Sequence, residues 1–181
     1  RDGMATQALE FLTMTAARSG EVRGATWAEI DIKAALWTIP ADRMKASKEH
    51  RVPLTADAVE FLKALPRMSG SEFVFPAARG GQLSDMSLSA CMKRIHKAKP
   101  DRYLDSRSGR PAVPHGIRSA FRDWASEHTD YPREMAEISL AHTVGSEVER
   151  AYRRGDQMEK RRAMMADWGK FLNNGIEGHK S

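Results

Sequence analysis

The sequence predicts an α+β fold that is predominantly α-helical, with a small antiparallel β-sheet near the N-terminal third of the chain. Apolar residues recur at helical spacing along most of the 181 residues, whereas residues 31–40 (DIKAALWTIP) have the Ile, Leu and Trp usage of a strand. Residues 49–54 (EHRVPL) are the predicted hairpin partner of that strand. An apolar content of 41% is ordinary for a globular chain of this length, so one compact domain is expected.

Two helices are predicted before the hairpin. The first covers residues 4–18, with Asp2 as its N-cap and Gly20 as its stop. The second is short and covers residues 21–30. The connection between the two strands, residues 41–48, is expected to lie exposed at the hairpin tip and to be basic.

The middle of the chain alternates between helix and loop. Thr55 is expected to begin a helix that ends near Pro66, and residues 72–76 (EFVFP) are interpreted as one more strand. The next helix is predicted from four residues at helical spacing: Met86, Cys91, Met92 and Ile95. A long polar loop, residues 99–114, follows it.

The last third is predicted to be helical. A helix that begins near His115 has an apolar stripe, formed by Ile117, Phe121 and Trp124. Pro132 suits the first turn of the next helix, and Asp156 is the predicted cap of a terminal helix that closes near Gly175. Four tryptophans are interpreted as core residues: Trp27, Trp37, Trp124 and Trp168.

Positive charge is concentrated in one part of the chain. The formal charge of +5 is only a weak indication of a polyanionic partner when it is spread over the whole surface. Residues 93–122, however, contain nine cations and two acids. The nine cations are Lys93, Arg94, Lys97, Lys99, Arg102, Arg107, Arg110, Arg118 and Arg122. This basic cluster predicts a phosphate-facing surface, although charge alone fits a solvated loop equally well.

The sequence lacks the signatures of export, membrane insertion, metal binding and nucleotide binding. Cys91 is the only cysteine, which excludes an internal disulfide and fits a reducing compartment. No apolar run approaches the roughly 20 residues that span a bilayer, and residues 1–11 lack the layout of a signal peptide, so a cytoplasmic protein with no membrane partner is expected. The six histidines show no pair at metal-site spacing, and no Gly-rich phosphate loop or dinucleotide fingerprint is present. Neither a metal nor a cofactor is therefore expected.

Two short motifs suggest an anion site. His115 and Arg118, in PHGIRSAFRDW, are three residues apart and so lie on one face near the amino end of a helix, where backbone N–H groups favour an anion. A helix that begins with His and points Arg at water has the same pattern. Arg18, in TAARSGE, either caps its own helix or is held by Glu21, three residues later, in a charge-assisted pair.

Six residues occur in one recognisable order. They are Arg18 in ARSGE, Lys45 eight residues before Pro53 of RVPL, His115 and Arg118 in HGIR, His142 in LAH, and Tyr152 in AYRRGD. Their order and approximate spacing resemble the tyrosine recombinase (phage integrase) family, and the segments SGEVRGATW, HGIRSAFRDWA and AYRRGD resemble integrases of prophages and genomic islands. The resemblance implies the catalytic-domain fold of that family. One departure is Ala141, because the family most often has Gly before this histidine; a methyl group is expected to be tolerated if the backbone there is helical.

The resemblance implies that Tyr152 is the nucleophile. It would attack the scissile phosphorus and form a 3′-phosphotyrosyl link with release of a 5′-hydroxyl. Arg18 and Arg118 would clamp the non-bridging oxygens, a task that suits planar guanidinium groups with a permanent charge. Tyr103 and Tyr131 are interpreted as packing residues or as contacts to the phosphate backbone.

The remaining family residues are assigned to proton transfer and hydrogen bonding. His115 would help to take the tyrosine proton, and His142 would donate a hydrogen bond to the phosphate. Lys45, at the hairpin tip, would protonate the leaving 5′-oxygen, with Lys48 as the alternative if the hairpin register differs. The covalent ester retains the bond energy, so neither ATP nor a metal is required.

The resemblance also implies domain limits and partners. Residues 1–175 are expected to form the integrase catalytic domain and residues 176–181 a flexible tail, with the N-terminal core-binding and arm-binding domains of the family absent from this chain. The expected partners are double-stranded DNA at attachment sites, further copies of the chain in a tetramer on DNA (a monomer when free), and accessory DNA-bending or directionality proteins. The terminal helix would pack on its own body or dock on a neighbouring protomer. A bacterial, nucleoid-associated location would follow.

The expected function is site-specific recombination that integrates or excises a prophage or genomic island. Two alternatives remain open at this point: a type IB topoisomerase-like enzyme, which uses similar residues to relax supercoils, and a DNA-binding factor without catalysis.

Overall fold

A computed structural model of the protein describes residues 3–105, 107–145 and 156–177. In chain order, the helices are α1 (Met4–Thr15), α2 (Ser19–Arg23), α3 (Ala56–Ala64), α4 (Ser87–Ala98), α5 (Gly116–His128), α6 (Arg133–Ser139) and α7 (Met158–Glu177). The strands are β1 (Ile30–Asp31), β2 (Leu36–Ile39) and β3 (His50–Pro53). Within the described ranges, therefore, helices predominate over one small antiparallel sheet, which confirms the predicted α+β class. None of these helices is long and apolar enough to cross a membrane.

Backbone contacts divide the chain into two compact units. The first unit comprises Arg1–Ala28 and Leu65–Ala120, and the second comprises Glu29–Ala64 and Phe121–Ser181. Each unit has buried apolar residues of its own, such as Phe11 and Phe75 in the first and Trp37 and Trp168 in the second.

The end of α1 differs from the prediction. The helix ends at Thr15 because Ala16 adopts a left-handed conformation, with φ 52°. Gly20, the predicted stop, lies inside α2 instead. At the other end Gly3 is the N-cap, and Asp2 lies outside the described residues. In the first unit, α1 buries Phe11 against Phe75, with ring centroids 5.5 Å apart.

Three other predictions are wrong. Residues 21–30 do not form one helix, because α2 ends at Arg23 and a 3₁₀ turn follows at Trp27–Glu29. Residues 72–76 are not a strand: they make only isolated bridges, at Phe73 and at Pro76, and beside the first of these the Val74 N–H donates to the Ala25 carbonyl at 2.9 Å. Trp27 is half-buried under the Arg67 guanidinium, 4.2 Å from its ring centroid, so it is not a core residue.

The predicted hairpin is present in the second unit. Strands β2 and β3 pair antiparallel, with Ile39 opposite His50 and Leu36 opposite Pro53. The predicted first strand is interrupted, because β1 turns back and pairs with β2. The connection from β2 to β3 contains a 3₁₀ turn at Ala41–Arg43, and residues 45–48 are exposed as predicted, whereas Met44 is buried.

The helices of the second unit pack around aromatic rings. Thr55 Oγ1 accepts a hydrogen bond from the Ala58 N–H at 3.1 Å, which confirms it as the cap of α3. On α7, Trp168 meets Phe121 edge to face at 5.3 Å and lies 5.2 Å from Trp124, so α7 packs on its own body within this unit. The confirmed core tryptophans are Trp37, Trp124 and Trp168. Helix α7 begins at Met158, two residues after the predicted cap Asp156, and ends at Glu177, close to the predicted end near Gly175.

Candidate catalytic site

Arg18 stands directly before α2 and is held by a buried carboxylate. Its backbone N–H donates to Glu21 Oε2 at 2.9 Å, and its guanidinium Nη1 donates to Glu21 Oε1 at 2.9 Å. The Glu21 side chain is 6% exposed and that of Arg18 is 29% exposed. The carboxylate thus binds the amino end of α2 and orients a half-exposed guanidinium at the same time. The predicted pair of Arg18 and Glu21 is confirmed.

Arg118, in the first turn of α5, is directed into the first unit and not toward water. Only 4% of it is exposed, and its Nη1 donates to the Ala16 carbonyl at 2.7 Å. Carbonyls at the end of a helix lack intrahelical partners and carry partial negative charge, so a cation is well placed there. Ala16 precedes Arg18 by two residues. Both arginines are therefore fixed to the same turn, residues 16–18, which we call the arginine turn.

His115, three residues before Arg118, is exposed at the surface. It lies immediately before α5, and its carbonyl accepts a hydrogen bond from the Arg118 N–H at 3.2 Å. Its ring is exposed while the Arg118 guanidinium is buried. The predicted spacing thus brings the two residues to one helix end, with one at the surface and the other in the interior.

His142 is positioned by the end of α6 in the second unit. The Ala141 N–H donates to the Ile138 carbonyl and the His142 N–H to the Glu137 carbonyl, both at 2.9 Å, which is the Schellman pattern of a helix C-terminus. This pattern places Ala141 in the left-handed region, with φ 53°. The condition on which a methyl group is expected to be tolerated, a helical backbone, is therefore not met, and glycine would fit this conformation better.

Glu137 also binds the ring of His142. Its Oε2 lies 2.5 Å from His142 Nδ1, and its Oε1 lies 3.7 Å from Arg122 Nη1, within ion-pair range but beyond hydrogen-bond range. The Glu137 side chain is 14% exposed and the His142 ring 34%. A carboxylate on Nδ1 orients the ring and leaves Nε2 as the nitrogen directed away from this partner.

The other predicted site residues are Lys45, with Lys48 as its alternative, and Tyr152. Lys45 and Lys48 are both exposed on the connection between β2 and β3, in the second unit. Tyr152 lies outside the described residues. Asp156, four residues later, is described: its carboxylate lies 3.3 Å from Arg51 Nη1 and 3.8 Å from Arg161 Nη1.

The other two tyrosines have different surroundings. The Tyr131 hydroxyl donates to Asp167 Oδ2 at 2.7 Å, and burial, together with this bond and the charge of Asp167, raises the pKa of Tyr131 to about 12. A phenol with a raised pKa ionises less readily, which disfavours its use as a nucleophile. Tyr103 is 53% exposed in the loop between α4 and α5.

The basic cluster of residues 93–122 is mostly at the surface. Eight of its nine cations are exposed, and Arg118 is the exception. The loop from residue 99 to 114 has internal order, because Leu104 and Pro111 form a bridge and Asp105 accepts hydrogen bonds from Ser108. These bonds lower the pKa of Asp105. Three of the exposed cations, Arg102, Arg107 and Arg110, therefore lie on an ordered loop.

Two residues near the site were missed by sequence reasoning. Glu137 gave no usable signal, since its bond to His142 spans a helix end that sequence spacing does not reveal. Arg161 did give a sequence signal. It lies three residues after Met158 and four before Met165, so a cation occupies the apolar stripe of the terminal helix. The structure buries it to 1% exposure.

Residues 3–159 match the model of the phage integrase family. The prophage integrase IntA of Escherichia coli (strain K12) is 34% identical over 172 residues, which cover 93% of this chain and 38% of that protein. The chain thus spans about two fifths of the length of the curated relatives it matches.

Solved structures show the same fold. A lambda integrase(75-356) dimer bound to a COC′ core site has a TM-score of 0.57 and 23% identity, covering 84% of this chain and 52% of that one. A lambda integrase tetramer bound to a Holliday junction has a TM-score of 0.58 and 23% identity, covering 80% of this chain and 42% of that one.

Proposed function

This chain belongs to the phage integrase family, and from that premise we propose that it carries the catalytic centre of a tyrosine-type site-specific DNA recombinase. The reaction is cleavage and religation of DNA strands through a 3′-phosphotyrosine intermediate. The catalytic domain is proposed to comprise residues 1–175, with residues 176–181 as a tail.

One observation carries the proposal: two guanidinium groups are anchored at the arginine turn. Arg118 is bonded to the carbonyl of Ala16, and Arg18 is bonded to Glu21. A pentacovalent phosphorus transition state concentrates negative charge on its non-bridging oxygens, and charges that are oriented beforehand stabilise it without reorganisation. Each such donor typically contributes about 10² to 10³ in rate.

Tyr152 is the proposed nucleophile. A phenol, whose unperturbed pKa is about 10, is easier to ionise than a serine hydroxyl and is also a usable leaving group when the strand is resealed. In the cleavage step the phenolic oxygen forms a bond to phosphorus, the bond from phosphorus to the 5′-oxygen breaks, and that oxygen leaves with a proton as a hydroxyl. The reverse step, with a 5′-hydroxyl from another strand, exchanges the strands.

Three residues are proposed to move protons or to bind the phosphate. His115 helps to accept the Tyr152 proton, and Lys45 supplies the proton for the leaving oxygen. His142, in the doubly protonated form in which Nδ1 donates to Glu137, donates a second hydrogen bond from Nε2 to the phosphate, and Glu137 orients its ring.

The proposed biological reaction is integration or excision of a prophage or genomic island. The relation to the prophage integrase IntA supports this role. The lambda integrase complexes, one a dimer on a core site and one a tetramer on a Holliday junction, support double-stranded DNA and further copies of the chain as partners. Accessory DNA-bending proteins are a further proposed partner.

A nicked suicide substrate tests the proposal. The duplex carries the junction sequence of the genomic element that encodes the chain, with a nick close to the cleavage position, so that a short fragment diffuses away and the covalent adduct accumulates. We expect an adduct with the wild-type protein and with Tyr103→Phe, and none with Tyr152→Phe. Intact DNA binding without an adduct would support a non-catalytic DNA-binding factor, and relaxation of supercoiled plasmid that lacks the junction would support a topoisomerase.

A further inference from the structure

The second unit contains a buried cation to which the proposed chemistry assigns no role. Arg161, on α7, is 1% exposed, and its burial lowers its pKa to about 10, partly offset by the charge of Asp156. It therefore remains charged at neutral pH. The residues on its face of the helix include Met158, Met164 and Met165, so an apolar side chain would suit the position for packing alone.

Arg161 donates hydrogen bonds to three separate segments of the second unit. Its Nη2 donates to the Arg51 carbonyl of β3 at 2.7 Å. Its Nε donates to Ser139 Oγ, at the end of α6, at 3.4 Å. Its Nη1 donates to the Asp156 carbonyl at 3.5 Å and lies 3.8 Å from the carboxylate of the same residue.

Each of these three bonded residues lies within six residues of a proposed site residue along the chain. Arg51 follows Lys45 by six residues, at the C-terminal side of the hairpin tip. Ser139 precedes His142 by three residues, and the Schellman turn lies between them. Asp156 follows Tyr152 by four residues, and its carboxylate is also bound by Arg51 at 3.3 Å.

We propose that Arg161 is a positioning residue of the active site: its single guanidinium ties together Arg51, Ser139 and Asp156, which lie six, three and four residues along the chain from Lys45, His142 and Tyr152. The inference rests on the proposed function. A planar group with five donors is suited to this task, because it can bind three acceptors in fixed directions where a lysine or a methionine cannot.

The neighbouring arginine offers a matched control. Arg162 also ties α7 to the sheet region, since its Nη1 donates to the Ala35 carbonyl at 3.1 Å and its Nη2 to the Ala34 carbonyl at 3.0 Å. Those two carbonyls lie in the turn between β1 and β2, which carries no proposed site residue. Arg162→Met thus removes a comparable anchor of the same helix without touching the three segments.

The experiment measures adduct formation on the suicide substrate for the wild type, Arg161→Met, Arg161→Lys and Arg162→Met. The maximal rate at saturating DNA, the half-saturating DNA concentration and the melting temperature are recorded for each protein. A displacement of about 1 Å can cost about 10²-fold in rate, so we expect Arg161→Met to lower the maximal rate by roughly that factor. The half-saturating concentration should change less than about threefold, and Arg161→Lys should recover part of the rate.

Ser139→Ala removes one of the three hydrogen bonds of Arg161 with little change in side-chain volume. It therefore tests the inference even if Arg161→Met does not fold. We expect it to lower the maximal rate by about 3- to 10-fold, in line with the loss of one hydrogen bond to a charged group. If the Arg161 and Ser139 variants are folded and their maximal rates equal that of Arg162→Met, the inference about Arg161 is wrong, while the proposed function is unaffected. Absence of any adduct with the wild-type protein would instead overturn the proposed function on which the inference rests.

Discussion

The two units hold their proposed site residues in different ways. In the first unit, the guanidinium of Arg118 is bonded directly to the Ala16 carbonyl, and that of Arg18 to the buried Glu21. In the second unit, Lys45 lies on an exposed connection and His142 on the turn that follows α6. The two arginines are thus each locked by a bond to the guanidinium itself, whereas Lys45, which is proposed to transfer a proton, is positioned through the segment that carries it.

This difference agrees with the demands of the two tasks. Electrostatic stabilisation of a transition state depends on charges that do not reorient during the reaction. Proton transfer and nucleophilic attack require groups that approach and leave the reacting atoms at different steps. Substitutions in the two units should therefore fail in different ways, and the following predictions are ordered from the largest expected effect to the smallest.

The largest effect is expected from replacing either arginine by lysine. Arg18→Lys and Arg118→Lys both keep the charge but lose the planar fork, so each should lower adduct formation by about 10² to 10³. Arg118→Lys should also lower the free energy of unfolding by about 1–3 kcal/mol, because the buried Ala16 carbonyl loses its donor. Adduct rates and urea denaturation test both statements. If Arg118→Lys cleaves DNA at a rate within tenfold of the wild-type rate, the arginine turn does not take part in the chemistry.

Lys45→Ala should have the next largest effect, and one that depends on the leaving group. With an ordinary phosphodiester we expect a loss of about 10² or more, which is typical when a general acid is removed. With a substrate that carries sulfur at the 5′-bridging position, the loss should be less than about tenfold, because a thiolate leaves without protonation. Lys48→Ala, on the same exposed connection, is the control. If sulfur rescues Lys48→Ala instead, the acid has been assigned to the wrong lysine.

Glu137→Gln should have a smaller effect. The amide keeps the shape of the side chain but weakens the bond to His142 Nδ1, and loss of one charge-assisted hydrogen bond corresponds to about tenfold in rate. The backbone bond from the His142 N–H to the Glu137 carbonyl is unaffected, so the melting temperature should fall little. Glu127→Gln, at an exposed position on α5, serves as the control. Equal rates for the two variants would show that Glu137 does not position the histidine.

The smallest effect is expected at Ala141. Since its φ of 53° is left-handed, Ala141→Gly should relieve about 1–2 kcal/mol of strain and lose about 0.5–1 kcal/mol to the flexibility of glycine in the unfolded chain. The net gain of up to about 1.5 kcal/mol corresponds to a rise of at most about 3–6 °C in melting temperature for a chain of this size. A drop in melting temperature would show that the Schellman turn does not govern this position.

Whether a feature could be predicted from the sequence depends on how far apart its interacting residues lie along the chain. The pair of Arg18 and Glu21 was predictable because its partners are three residues apart, and the hairpin was predictable because its strand usage is local. The bond from Arg118 to Ala16 spans 102 residues, and no local pattern encodes it.

The errors have a common cause. The end of α1 and the turn before His142 both use alanine in the left-handed conformation, where sequence rules expect glycine. Residues 72–76 have the composition of a strand, but their partner segment is extended only briefly before the 3₁₀ turn at Trp27–Glu29, so the two segments form a single bridge. In each case tertiary contacts outweigh the local preference.

The most direct test of the central claim is a crystal structure of the Tyr152→Phe protein bound to its attachment-site DNA. The account predicts that the guanidinium groups of Arg18 and Arg118 both lie within hydrogen-bond distance of the non-bridging oxygens of one phosphate, which faces the ring at position 152. Two guanidinium groups on different phosphates, or a ring directed away from the phosphate that they share, would contradict it.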